Sequence, residues 1–498
     1  MHFNFEPPPK NLSVLACVGG VATAILAIVG MRYWSNHLAQ TVTSPQSEVE
    51  TAQTTTPKPK TDPKITAKKL KQEARFQTLA KLDGQSVKLP GTRVTEKELT
   101  ATKTPYIPSQ VTELSSEELA VANQAWQYFE ENWNDETGLV NSVDSFTSVT
   151  LWDQGAAIAA LVSAKELGII SEEEFTTKMS QTLKTLAKLP LYKEELPNKV
   201  YNSQTLMPVD YGQLNEEQEI GWSAIDLGRM AIWLKIVGTR YPEFKQETEA
   251  VWESWDVERL TKNGHMYGTA VANGKEQYNQ EGRLGYENYA AFGLKLWGLE
   301  VEKALDSKEK AAFVNLYNVG IPYDIRDYHN SEANNYVLSE PYFLDGIETG
   351  FQALPKAYAD RILAAQEARY KATKQLTAIT EDNLDRAPYF VYSTLFANGK
   401  PWATITDTRE NHNNLRFVST KAAIGWHVLY NTDYTQKLFD FVTDQLIADE
   451  GWYNGFYETL QEPNKSLTAN NNGVILESLL YKQVGKPLTV WAGVKTPK

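Results

Sequence analysis

Apolar side chains recur three and four residues apart through most of the chain after Tyr106, the spacing of helices that bury one face. Ser115 or Ser116 is placed to cap a helix over 117–133, where Leu119, Ala122, Ala125, Trp126 and Phe129 share a side. The same pattern predicts helices over 156–167, 172–189 behind a Ser171 cap, 223–237, 243–255, 288–299, 307–317, 356–373, 420–430, 434–447 and 472–484. Strand-like runs are brief, at 389–392 and 404–406. The run 156–162 is apolar on nearly every side, as a helix surrounded by protein would be, whereas 172–188 is charged along one side. Buried and half-buried helices alternating without a linker predict one all-α domain over 109–498, a toroid of inner and outer helices.

The pattern is different before that domain. Residues 12–31 carry no charge, and about 20 such residues suffice to cross a bilayer core as a helix. Arg32, Tyr33 and Trp34 add a basic, aromatic flank, so an uncleaved membrane anchor is expected over 12–34 behind a short tail of residues 1–11, with the large domain on the extracytoplasmic, periplasmic side. Residues 35–108 are rich in Thr, Pro, Gln and Lys and read as a flexible stalk. Within it, 68–82 has the makings of a short basic helix.

Charge follows the same division. Residues 1–110 hold 14 Lys and Arg against 8 Asp and Glu, whereas the whole chain carries a net charge of -13. The large domain is therefore strongly acidic, which excludes nucleic acid as an expected partner. Its 13 Trp, 25 Tyr and 17 Phe can fill a core or stack on flat ligands such as sugar rings. The lone Cys17 excludes an intrachain disulfide or thiol chemistry, six histidines without close ligand spacing give no metal motif, and no phosphate-binding glycine signature is present, so no cofactor is expected.

Four clusters open predicted helices. They are Thr150-Leu151-Trp152-Asp153, Gly221-Trp222-Ser223-Ala224-Ile225-Asp226-Leu227-Gly228-Arg229, Glu281-Gly282-Arg283-Leu284-Gly285-Tyr286-Glu287 and Ser419-Thr420-Lys421-Ala422-Ala423. In this order they resemble the bacterial family catalogued as domain of unknown function 3131, over about 124–481. A more distant similarity is to glucoamylase-like (α/α)6 enzymes, among them the endo-β-1,2-glucanases. Ser223, Asp226 and Gly228 match a Ser-x-x-Asp-x-Gly segment there, and Tyr286-Glu287 stands in place of a Tyr-x-Glu entrance without its intervening residue. The resemblance implies an (α/α)6 toroid and, at greater distance, action on a glycan.

Glycoside hydrolysis requires one carboxylic acid to protonate the leaving oxygen and one carboxylate to activate water or attack the sugar. Glu287 is the expected acid, with Asp153 or Asp226 as base and Glu281 as a further candidate. Arg283, Trp152, Trp222, Tyr286, Glu340, Trp402, Trp452, Tyr453 and Asn454 are the expected substrate contacts, offering stacking surfaces and hydrogen bonds from Gly-rich or helix-entrance loops. The blander readings are an N-cap for Asp153, an ion pair with Arg229 for Asp226, pairing of Arg283 with Glu281, helix-terminus charge for Glu287 and core packing for Trp402. The expected partner is a polysaccharide. The function expected is a membrane-anchored glycoside hydrolase, with a non-catalytic glycan-binding or polysaccharide export protein as the alternative, and a polysaccharide lyase as a further one.

Overall fold

Six inner helices of this chain are enclosed by other elements, and that sets the architecture. The computed structural model describes residues 63–85, 87–88, 108–109 and 112–495 apart from 273 and 352. In chain order its main helices are α1 (Pro63–Gln85), α2 (Ser116–Asn132), α3 (Leu151–Glu166), α4 (Glu172–Leu186), α5 (Ala224–Arg240), α6 (Lys245–Glu253) and α7 (Tyr286–Leu296). They continue with α8 (Glu302–Leu305), α9 (Glu340–Leu344, prolonged by a π turn over Asp345–Thr349), α10 (Ala353–Thr373), α11 (Thr420–Tyr430), α12 (Asp433–Gln445) and α13 (Ala469–Val484).

Helices α3, α5, α7, α9, α11 and α13 touch in sequence, and α13 closes back on α3. Helices α2, α4, α6, α8, α10 and α12 lie outside them. The sequence dictates the difference: α3 is buried from Leu151 to Ala164, whereas α4 buries only one stripe, including Phe175, Met179, Leu183 and Leu186. Close approach within the ring needs small residues. A Cβ on Gly293 of α7 would lie 1.9 Å from the Gly228 carbonyl oxygen of α5, so these two helices cross at backbone contact. The architecture is thus the expected (α/α)6 toroid, with an inner ring and an outer ring.

It is not, however, all-α. The described residues contain eight small antiparallel sheets of two or three strands. The helix expected over 307–317 is the hairpin Ala311–Leu316 with Val319–Asp324. Tyr317 and Asn318 turn it with positive φ, and its β-branched and aromatic residues pack better on a pleated surface than on a helix. Several sheets feed the inner ring directly. Ser148–Thr150 pairs with Val200–Asn202 and runs into α3, and Phe417–Ser419 pairs with Gly455–Tyr457 and runs into α11. These short ladders fix where the inner helices begin.

Part of the expected stalk also has structure. Helix α1 packs against the toroid with Leu79 and Asp83 buried, and Val87 and Lys88 pair with Leu316 and Asn315. The expected anchor at 12–34 and the tail at 1–11 lie outside the described residues. Among the described residues no helix is long and apolar enough to cross a membrane.

Candidate functional site

Four inner helices start with a hydroxyl cap. The side chains of Thr150, Ser223, Ser419 and Thr468 accept the backbone N–H groups of Asp153, Asp226, Ala422 and Asn471, which satisfies one orphan donor of each first turn. The caps set the first turns of neighbouring helices at one end of the ring, and the polar side chains of those turns meet as a floor.

Asn470 of α13 is the hub of that floor. Its Oδ1 accepts the Trp152 indole N–H of α3 at 3.1 Å and the Arg229 guanidinium of α5 at 2.6 Å. Its Nδ2 donates to Glu340 Oε1 of α9 at 2.8 Å. Lys421 of α11 lies 2.5 Å from Glu340 Oε2 and 3.5 Å from Asp382 Oδ2. Tyr286 of α7 meets Trp152 edge to face at 5.3 Å and donates its hydroxyl to Glu381. All six inner helices therefore contribute to one buried polar cluster. Above it, Glu381 pairs across a ladder with Tyr392, whose ring stacks on Tyr336 at 3.8 Å and 6°. Tyr336 is half-buried, so the stack extends the site from the floor towards solvent.

Electrostatics separates the acids. Burial, then the charge of Glu281, pushes Asp226 up to about 8, and neither of its carboxylate oxygens meets a hydrogen-bond donor in good geometry among the described residues. Burial also raises Asp153, but there it is opposed by hydrogen bonds from Ser142 and Thr150 and by the charges of Arg229 and Lys421. Thr150 donates to Asp153 Oδ2 at 2.5 Å. The Asp153 carboxylate charge, where present, in turn raises Asp226. Glu381 and Asp382 are each pushed up to about 7 by burial, against the pull of Lys421. Burial works against the Lys421 ammonium, yet Asp382, Glu340 and Glu381 outweigh it and hold the lysine charged above its ordinary range. Beneath the floor Arg229 pairs with Glu477 at 2.9 Å, and Glu348 accepts Trp233 and Tyr289. Burial raises both Glu348 and Glu477, which are hydrogen-bonded to each other.

The structure gathers some expected site residues and disperses others. Trp152, Tyr286 and Glu340 meet at the floor, Asp153 lies in the field of Arg229 and Lys421 there, Asp226 in that of Asp153, and Asn454 joins by donating to Asp382 Oδ1 at 2.8 Å. Neither bland reading of the aspartates describes them: the cap of α3 is Thr150, and Arg229 turns away from Asp226 to Glu477 and Asn470. Glu287 sits in an ion-pair cluster. It is fully buried and paired with Lys310 at 3.0 Å and Arg326 at 2.6 Å. Glu281 caps α5, accepting Ala224 N–H at 2.5 Å and the Ser223 hydroxyl at 2.9 Å. Arg283 pairs with Gln280, Ser331 and backbone carbonyls, not with Glu281.

Three of the expected tryptophans are buried within the fold. Trp222 is buried and donates to the Tyr267 carbonyl, Trp452 donates to the Val121 carbonyl of α2, and Trp402 lies beneath the Arg369 guanidinium, 5.0 Å from its ring centre. Tyr453 is half-buried, and its carbonyl accepts the Thr420 hydroxyl. Sequence reasoning missed Arg229, Lys421, Glu381 and Asp382 as site residues, whereas Asn470 lies in an Asn-rich turn that offered hydrogen bonding to sugar as an alternative to a helix cap. The signal for two of them was legible: Arg229 and Lys421 each interrupt an otherwise apolar inner-helix run, where a charge survives only with a buried partner.

A closed ring of six helix pairs with a polar floor across its helix N-termini defines a six-hairpin toroid protein. Within that class the chain belongs to the family described as "Protein of unknown function (DUF3131)", matched over residues 120–485. No curated protein matches the chain in sequence. Solved structures share the fold. A candidate glucoamylase from Bacteroides caccae is 14% identical with a TM-score of 0.57, the match covering 76% of this chain and 96% of that one. An endo-β-1,2-glucanase from Chitinophaga pinensis, in complex with sophorotriose and glucose, is 14% identical with a TM-score of 0.56, covering 76% and 95%. A β-1,2-glucanase from Parabacteroides distasonis is 11% identical with a TM-score of 0.51, covering 80% and 60%.

Proposed function

We propose that this protein is a glycoside hydrolase acting on a β-glucan-like polysaccharide, with Asp226 as general acid and Asp153 as its carboxylate partner. The observation that carries the reading is the asymmetry of these two neighbours. Burial and the Glu281 charge push Asp226 up to about 8, whereas two hydroxyl donors and two cations oppose the burial that raises Asp153. In the reaction Asp226 passes its proton to the glycosidic oxygen as the bond to the sugar carbon breaks. The Asp153 carboxylate either deprotonates the water that attacks that carbon or attacks it directly. Glu340 and Asp382, both beside the Lys421 ammonium, accept hydrogen bonds from sugar hydroxyls, and the Tyr336–Tyr392 stack offers an aromatic face to a ring. The shared fold of two β-1,2-glucanases makes β-1,2-linked glucan the first substrate to try.

The chain is proposed to be held to a membrane by residues 12–34, with the toroid outside the cytoplasm. A glycan-binding or export-assembly protein without turnover is the second reading, favoured by one feature: Lys421 already pairs with Glu340 and approaches Asp382. The test is reducing-end release by the full chain from a panel of β- and α-glucans, beside Asp226→Asn and Asp153→Asn. Release lost in both variants supports the hydrolase. Glycan binding without release supports the second reading, and neither binding nor release rejects both.

A further inference from the structure

We infer that residues 63–85 together with 87–88 are a strap that sets the position of the floor, reaching it through a buried charge cluster to which they add a carboxylate. The cluster consists of Asp83 from α1, Arg369 from α10, and Arg416 and Glu458 flanking the ladder that starts α11. Asp83 Oδ1 accepts Arg369 Nε at 2.8 Å and the Tyr317 hydroxyl at 2.7 Å, and its Oδ2 accepts Arg369 Nη2 at 3.1 Å and Arg416 Nη1 at 3.0 Å. Glu458 takes Arg369 from the other side at 2.8 and 2.9 Å. Among the described residues two arginines thus face two carboxylates, and removing the Asp83 charge leaves Glu458 alone to balance them. Against the effect of burial, Arg369 and Arg416 hold the Asp83 carboxyl below its ordinary range.

The remaining contacts of α1 fall on the same structural unit. Arg75 donates to the Glu458 carbonyl at 2.8 Å and to Gln375 at 2.5 Å, and Gln72 donates to the Leu460 carbonyl. These partners stand directly behind the floor. Arg369 Nη1 donates to Thr377 Oγ1 at 2.8 Å, on the segment that leads to Glu381 and Asp382. Arg416 precedes the strand Phe417–Ser419, which starts the helix of Lys421, and its carbonyl accepts the Glu458 amide at 2.8 Å. The partner strand Gly455–Tyr457 follows Asn454, which holds Asp382. Asp83 is therefore a positioning residue: it touches no floor group, but it fixes two arginines on the supports of three of them. It also lies outside the family match, which begins at residue 120.

The inference rests on the floor being the working site, and its test reads backbone protection instead of turnover, so it stands or falls apart from the hydrolase assignment. Hydrogen exchange is measured on the full chain, on Asp83→Asn, on the milder Arg75→Gln and on Lys68→Ala, which breaks only the exposed pair with Glu462. Loss of the Asp83 charge is expected to lower protection of 375–383 and 416–421 by about tenfold or more, with α4 unchanged. Arg75→Gln should act on the same segments to a smaller extent, and Lys68→Ala on neither. Unchanged protection of those segments in Asp83→Asn would overturn the strap. So would an equal loss throughout the toroid in both Asp83→Asn and Arg75→Gln, because it would reduce the strap to bulk stability.

Discussion

Asp226→Asn separates the two consequences of a buried, protonated carboxyl. An unfolded aspartate titrates near 3.9, with one pH unit worth about 1.4 kcal/mol, whereas in the fold Asp226 holds its proton to about 8. Between those values the native state binds a proton that the unfolded chain has released. Stability from this residue is complete below the lower value and is lost as pH rises through the window, with slope of about 1.4 kcal/mol per unit. Asparagine does not titrate and keeps nearly the same shape. The stability of the variant relative to the parent should therefore rise by about 2.7 kcal/mol between pH 5 and pH 7. Urea unfolding followed by tryptophan fluorescence at pH 5, 6 and 7 measures that difference directly, because every other titrating group is common to both chains. Glycan release, if Asp226 is the acid, should vanish in the variant even at the pH where it is the more stable of the two. Parallel pH–stability curves would refute the buried-proton argument and remove Asp226 as the acid.

Other outcomes follow from the same geometry. Glu287→Gln should cost about 3 kcal/mol in urea unfolding, the low end for breaking a buried pair because Arg326 keeps Asp324, and it should leave any glycan release largely intact; abolished release from a stably folded variant would restore Glu287 as the acid. Asn470→Ala strips a hydrogen-bond partner from each of Trp152, Arg229 and Glu340 and should cost about 3 kcal/mol of stability, with glycan affinity falling as well. A loss below about 0.5 kcal/mol would show that Asn470 is not the hub. The full chain should remain in the membrane fraction after alkaline carbonate washing and lose that behaviour when residues 1–34 are removed; release of the intact chain by the wash would reject the anchor.

The alternation of wholly apolar with one-sided helices was legible in the sequence, because burial on every side demands it at each inner position. So were the helix entrances at Thr150 and Ser223, since a hydroxyl cap followed by polar residues has few other uses; Tyr286 instead opens α7 behind Gly285. The sequence could not say which acid faces which cation. Glu287 and Asp226 look alike as carboxylates in a first helical turn, and only the fold brings Lys310 and Arg326 to one and leaves the other without a well-aligned donor among the described residues. Nor could it foresee that a polar stretch before the domain would dock: Asp83 meets Arg369 and Arg416 across separations of 286 and 333 residues. Local periodicity determined the ring, because helix formation and face burial are short-range. The protonation of its acids and the path from strap to floor were decided by tertiary structure, because charge and desolvation depend on neighbours that only the closed toroid brings together.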